Sequence, residues 1–301
     1  MAALLALASA TTFGFADFLG GLASRRAHPL VVAALSQAAG LAVLAVVLPL
    51  AGVMPTATAM WFGGVAGIAG AGGLIFYFRA LAIGPMGVTA PLAAVVGAAL
   101  PVGVGVAMGE RPGPLAFVGI ALGIAAVALA SRPGPTADGT PVDVGAGAPD
   151  GLRAGAPDGL RAGAPDGLRA GLTAAVLAGV AFGVFFVTLD AAPDDGGLWP
   201  LLGARITGIV LLAGLLGRHR PALPDPRGIG IGLVSGLLDM TANVLFLLAT
   251  QTGMLALVAV LTSLYPVGIV LLARAVLRER LGRVQWLGVA AAVGATILIA
   301  L

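Results

Sequence analysis

The chain contains no cysteine, no lysine, only two histidines and few charges: 10% of its 301 residues are charged and 5% are aromatic. Without thiols it forms no disulfide, thiolate metal site or cysteine nucleophile, and their lack is silent about redox compartment. His28 and His219 sit among arginines between apolar runs, which argues against a histidine metal cage. An ordinary soluble domain is about a quarter charged, so a soluble enzyme is excluded. The 16 basic residues, all arginine, oppose 13 acidic ones, and the net charge of +3 is scattered along the chain. That distribution offers no continuous basic surface to nucleic acid.

Apolar length is what the chain has instead. Hydrophobic residues make up 59% of it, with a mean hydropathy of +1.07. Roughly 20 apolar residues cross a bilayer. Runs broken by charge, proline or turn residues give ten candidate spans, at 2–23, 30–52, 58–78, 86–108, 114–131, 171–191, 198–217, 228–250, 254–274 and 284–301. Backbone facing lipid must satisfy its own hydrogen bonds, and no run shows the two-residue alternation of a barrel. The expected fold is therefore an all-α polytopic membrane protein in contact with membrane lipid. Residues 2–23 include Ala8-Ser9-Ala10, similar to a secretory cleavage site, but Arg25 and Arg26 follow the apolar run instead of preceding it. An uncleaved first span is expected.

The longest polar stretch, 132–170, holds three copies of Gly-Ala-Pro-Asp-Gly-Leu-Arg-Ala starting at Gly147, Gly155 and Gly163. One Leu per copy buries too little to offset ordering entropy. A flexible linker is expected there, with a docking tail as the alternative, between domains at 1–131 and 171–301. These halves repeat. A shift of 169 residues aligns Phe13-Gly14 with Phe182-Gly183, Ala80 with Ala249, Gly84 with Gly253, and Glu110-Arg111 with Glu279-Arg280. Two similar halves of five spans must lie in opposite orientations, giving two inverted five-helix repeats, an architecture recurrent in secondary transporters.

Ala80-Leu81-Ala82-Ile83-Gly84-Pro85, Ala90-Pro91-Leu92, Gly109-Glu110-Arg111-Pro112 and Gly119 resemble the end of an EamA domain of the drug/metabolite transporter superfamily. Tyr265-Pro266-Val267, Arg278-Glu279-Arg280-Leu281 and Gly288 resemble the end of a second one. The resemblance covers both halves but not the linker. It implies ten spans, a central substrate cavity and small-metabolite transport, commonly export. The sequence departs from the family pattern at Arg278, where glycine is more common, and in its long linker.

A charge at mid-membrane costs on the order of 3 kcal/mol on insertion scales and usually faces the bundle interior or an aqueous cavity. Ser235, Asp239, Asn243 and Thr250 share one face of the eighth span. Asp239 is the candidate to take up a proton or bind a substrate amine, beside Asn243; the alternative is an interhelical polar pair that holds the bundle. Asp17 and Arg205 have two readings. They form a buried ion pair, or Arg205 orients a substrate carboxylate while Asp17 pairs with Arg25. Arg79 is expected to snorkel to the headgroups. Tyr77, Thr89, Thr262, Ser263 and Tyr265 add hydrogen-bonding candidates, and Trp61 and Trp286 read as interface anchors. Pro91 and Pro101 in the fourth span and Pro266 in the ninth each remove a helical donor. Broken helices in matching positions point to a transporter site, against the alternative of a tolerated packing kink. Gly63-Gly67, Gly119-Gly123, Gly179-Gly183 and Gly228-Gly232-Gly236 have the spacing that lets helices approach closely.

The expected function is secondary transport of a small metabolite (an amino acid, amine or related compound) by alternating access, with export the expected direction and protons the candidate coupling ion. No nucleotide-binding loop is present, and no cofactor is expected. A channel lacks a ring of like charges, an intramembrane enzyme lacks a histidine to join Ser235 and Asp239, and a non-transporting scaffold or receptor is the competing class. The cell membrane is the expected location. Loops after odd-numbered spans hold nearly all the loop arginines, which by the positive-inside rule sets both termini outside; the family resemblance implies both inside.

Overall fold

A computed structural model describes residues 1–107, 114–130, 165–252, 262, 265–277 and 283–300. Among the described residues there are ten α-helices, one short 3-10 turn at Asp194–Gly196 and no strand. The helices are α1 (Ala2–Ser24), α2 (Pro29–Ala51), α3 (Ala57–Ile83), α4 (Met86–Ala107) and α5 (Pro114–Ala130), then α6 (Pro165–Asp190), α7 (Trp199–His219), α8 (Pro226–Thr252), α9 (Tyr265–Val276) and α10 (Arg283–Ala300). Six of them, α1, α2, α3, α6, α7 and α8, are long and apolar enough to cross a membrane.

Local chemistry sets several boundaries. At α2, the His28 Nδ1 accepts the Leu30 N–H at 3.2 Å and Pro29 occupies the first turn, where its missing donor costs nothing. Gly52 then ends the helix with φ at 65°, a conformation glycine adopts without a Cβ penalty. At α3, the Thr56 hydroxyl accepts the Ala59 N–H at 3.2 Å. Two expectations need correction. Helix α6 begins at Pro165 instead of near 171, so most of the third octapeptide forms its first turns, as a proline at a helix start favours. The two earlier copies lie outside the described residues. Helix α4 continues through Pro91 and Pro101 as one helix, because each proline removes a single bond while packing on neighbouring helices holds the rest.

The halves interleave. Helix α3 packs on α6 and α7, α8 packs on α1 and α2, α4 packs on α6, and α9 packs on α1. Adding or subtracting five from each helix number turns one pair into another: α3–α6 into α8–α1, α3–α7 into α8–α2, and α4–α6 into α9–α1. Glycines make these crossings possible. A Cβ on Gly63 would stand 2.1 Å from the Pro200 carbonyl oxygen, and one on Gly67 would stand 2.4 Å from that of Ala204. Their counterparts under the 169-residue shift are Gly232 and Gly236; a Cβ on Gly236 would stand 2.3 Å from the Ser36 carbonyl oxygen. In lipid such close van der Waals packing is a main source of helix association.

The bundle has two chemically different ends. At one, Arg25 Nε donates to the Leu81 carbonyl at 3.4 Å, and His28 lies in the fields of His219 and Arg79, which gathers the loops after α1, α3 and α7. Arg79 is exposed there, as a snorkelling residue should be. At the other end, Trp199 Nε1 donates to the Val53 carbonyl at 2.7 Å and ties the loop after α2 to the one after α6, beside the exposed Asp195.

Candidate functional site

Polar side chains meet along the seam between the halves. Arg205, the seventh residue of α7, donates through Nη2 to Asp239 Oδ2 on α8 and through Nη1 to Gln37 Oε1 on α2. The two charged side chains are only 7% and 18% exposed. Two glycines make room for this bridge. A Cβ on Gly40 would stand 2.9 Å from the Arg205 guanidinium carbon, and one on Gly208 would stand 2.8 Å from Gln37 Nε2. The result is a Gln37-Arg205-Asp239 bridge across three helices.

Other members of the α8 stripe bond to backbone. Asn243 Nδ2 donates to the Asp239 carbonyl at 2.8 Å, within the helix. Ser235 Oγ donates to the Ala16 carbonyl at 2.8 Å, where Gly20 lets α1 approach. The side chain of Thr250 lies outside the described residues.

Asp17 forms a second centre. Its Oδ2 accepts the Tyr77 hydroxyl at 2.9 Å, so the anticipated Asp17–Arg205 ion pair is replaced by Asp17–Tyr77 and Arg205–Asp239. Depth explains the exchange. Asp17 lies seven residues, about 10 Å, from the C-terminal end of α1. Arg205 lies a comparable distance from the opposite face of the bundle, whereas Asp239 is midway along α8. The Tyr265 hydroxyl on α9 hydrogen-bonds with Tyr77, and Asp239 is near enough to act electrostatically on Asp17. Aromatic rings surround this centre: Phe182 meets Tyr77 edge-on at 5.6 Å, and Phe13 lies 6.0 Å from Tyr265. Asp17 and Tyr265 are only part-buried.

The remaining candidates are dispersed. Thr89 Oγ1 donates to the Pro85 carbonyl at 3.0 Å in the first turn of α4. The buried Thr262 hydroxyl has no partner among the described groups, and Ser263 lies outside the described residues. Pro91 and Pro266 are buried, Pro266 as the second residue of α9; of Pro101 only the backbone is described. Trp61 is 71% exposed, consistent with an interface anchor. Gln37 and the rings of Phe13 and Phe182 escaped the sequence reading as site residues. A signal for Gln37 existed, since it is the one amide in an otherwise apolar run of helix length.

Apolar helices of spanning length with charges buried between them define an integral membrane protein of the polytopic helical class. Residues 169–301, which comprise nearly all of α6 and the helices after it, match the EamA-like transporter family. That match covers the second half of the chain, bears out the resemblance read from the sequence over that stretch and suggests a membrane transporter. No curated protein matches the chain. The crystal structure of another protein, 20% identical, is similar with a TM-score of 0.60 over 97% of this chain and 98% of that one. At that identity the likeness is one of fold, and it extends over both halves.

Proposed function

We propose that the chain is a secondary transporter, not an enzyme, that exports a small metabolite across the cell membrane by alternating access between two inverted five-helix repeats. The observation that carries this reading is the polar track: two carboxylates, a guanidinium, two phenols and an amide lie in the seam between halves whose helix pairings exchange with one another. Buried charge of this kind is expensive in a bilayer and marks a substrate or ion path. An odd number of helices per half supports opposite orientations, and midplane sites between such repeats recur in transporters. Rocking of the halves would expose the track to one face and then the other. With no nucleotide-binding loop, transport would draw on a substrate or ion gradient.

Counterflow in proteoliposomes tests it. Vesicles preloaded with each of a panel of amino acids, amines and other small metabolites should show saturable, trans-accelerated uptake of at least one labelled compound. A correctly inserted protein with no saturable flux for any compound would overturn the reading in favour of a scaffold or receptor.

A further inference from the structure

The turn that joins α1 to α2 is Arg25-Arg26-Ala27-His28, and the fold treats its two arginines differently. Arg25 Nε donates to the Leu81 carbonyl near the end of α3, which docks the turn on that helix. Arg26 is part-buried, and its Nε is shut away from water with no hydrogen-bond partner among the described groups. A guanidinium cannot shed its proton, so this charge persists and calls for an acceptor that the fold does not supply.

The surroundings select an anion. His28 closes the turn in the fields of His219, at the end of α7, and of Arg79, near the end of α3. Its Nδ1 accepts the Leu30 N–H, which leaves Nε2 to carry the ring proton as a donor. The loops after α1, α3 and α7 and the helix ends beside them hold Arg25, Arg26, Arg79, Arg218, Arg220 and Arg227 against one carboxylate, Asp225. That carboxylate already accepts the Gly228 N–H at 2.9 Å. Like charges gathered in this way repel one another, and a bound anion relieves the repulsion.

Depth says which anion. Helices α1 and α2 are each 23 residues long, about 35 Å, against a hydrocarbon core of about 30 Å. The turn between them therefore stands among lipid headgroups. Along α3 the exposed apolar side chains Trp61, Val65, Ile68 and Phe76 share one face, and the exposed Arg79 ends that stripe. An acyl chain laid on the stripe brings its phosphate to Arg79.

We propose that the α1–α2 turn and Arg79 form a binding site for an anionic phospholipid, in which Arg26, Arg79 and His28 donate to the phosphate oxygens and an acyl chain lies along α3. The surrounding arginines repel the ammonium of a zwitterionic headgroup, so the site selects lipids of net negative charge. It lies at one end of the bundle, apart from the polar track between the halves, and its occupancy does not depend on transport.

Native mass spectrometry of the full chain, freed of lipid in detergent, tests this with dioleoylphosphatidylglycerol, dioleoylphosphatidylcholine and inorganic phosphate as probes. A basic residue beside anionic lipid is worth about fivefold in binding, so two of them should favour the first phosphatidylglycerol over the first phosphatidylcholine by about tenfold or more. Arg26→Gln and Arg79→Gln should each weaken phosphatidylglycerol about fivefold. Arg169→Gln, which removes the same charge from the exposed first turns of α6, should leave it unchanged. Equal binding of the two lipids overturns the proposal. So does a preference that Arg79→Gln leaves intact, a result that stands even if Arg26→Gln fails to fold, because Arg79 is exposed. A preference that falls as much with Arg169→Gln overturns it in favour of a diffuse positive field, and displacement of the lipid by millimolar inorganic phosphate overturns it in favour of a soluble anion.

Discussion

Replacing Arg205 with methionine keeps most of the side-chain volume and removes the guanidinium that Asp239 and Gln37 both use. Removing one member of a buried pair typically costs about 3 to 5 kcal/mol, because the other charge is left without compensation. Asp239→Leu strands the other partner, a buried guanidinium, and should cost a comparable amount. The double variant Arg205→Met/Asp239→Leu should recover much of the stability, as apolar replacements of buried pairs often do. Reversible unfolding in mixed detergent, titrated with dodecyl sulfate, measures all four proteins. An Arg205→Met protein as stable as the parent, or a double variant less stable than either single one, would refute the assignment of this bridge as a structural ion pair.

Gly236→Ala puts a methyl 2.3 Å from the Ser36 carbonyl oxygen and should cost about 1 to 3 kcal/mol through overpacking, whereas Gly214→Ala, with nothing within 4 Å, should be neutral or stabilising by up to about 1 kcal/mol; thermal melts in detergent check the pair. Burial, then His219, then Arg79 lower the His28 pKa from its usual 6.5, so the neutral cap on α2 contributes stability that is present above 6.5 and is lost as pH falls through the lowered value. The drop in melting temperature between pH 7.5 and pH 5.5 should be smaller in His28→Asn, which caps without titrating; an equal drop would remove His28 as its source. Orientation is decided by single cysteines, and Asp195 serves better than Gly196, whose added Cβ would stand 2.6 Å from Ala59. With the arginine-rich end in the cytoplasm, a maleimide that cannot cross the membrane should label Asp195→Cys and spare Gly139→Cys in intact cells, and the opposite pattern refutes that orientation.

Apolar run length alone placed the six helices long and apolar enough to cross a membrane, including α8 with Asp239 and Asn243 a turn apart, because helix formation in lipid is a local demand that the backbone satisfy itself. The four-residue spacing of Gly63-Gly67 and Gly228-Gly232-Gly236 likewise marked positions of close helix approach before any packing was known. Partner choice was not legible in this way. Asp17, Arg205 and Asp239 were all visible as charges within spans, yet which carboxylate met the guanidinium depended on the depth of each residue and the rotation of its helix. Those quantities are set where glycines let α3 settle on α7 and α8 on α2. Gln37 entered the bridge only because Gly40 and Gly208, unremarkable in sequence, leave room on two facing helices. The prolines of α4 show the same division: the sequence counts the donors they remove, while neighbouring helices decide whether the helix breaks. Periodicity and propensity act over a few residues, whereas an ion pair between helices is chosen by contacts among segments far apart in the chain.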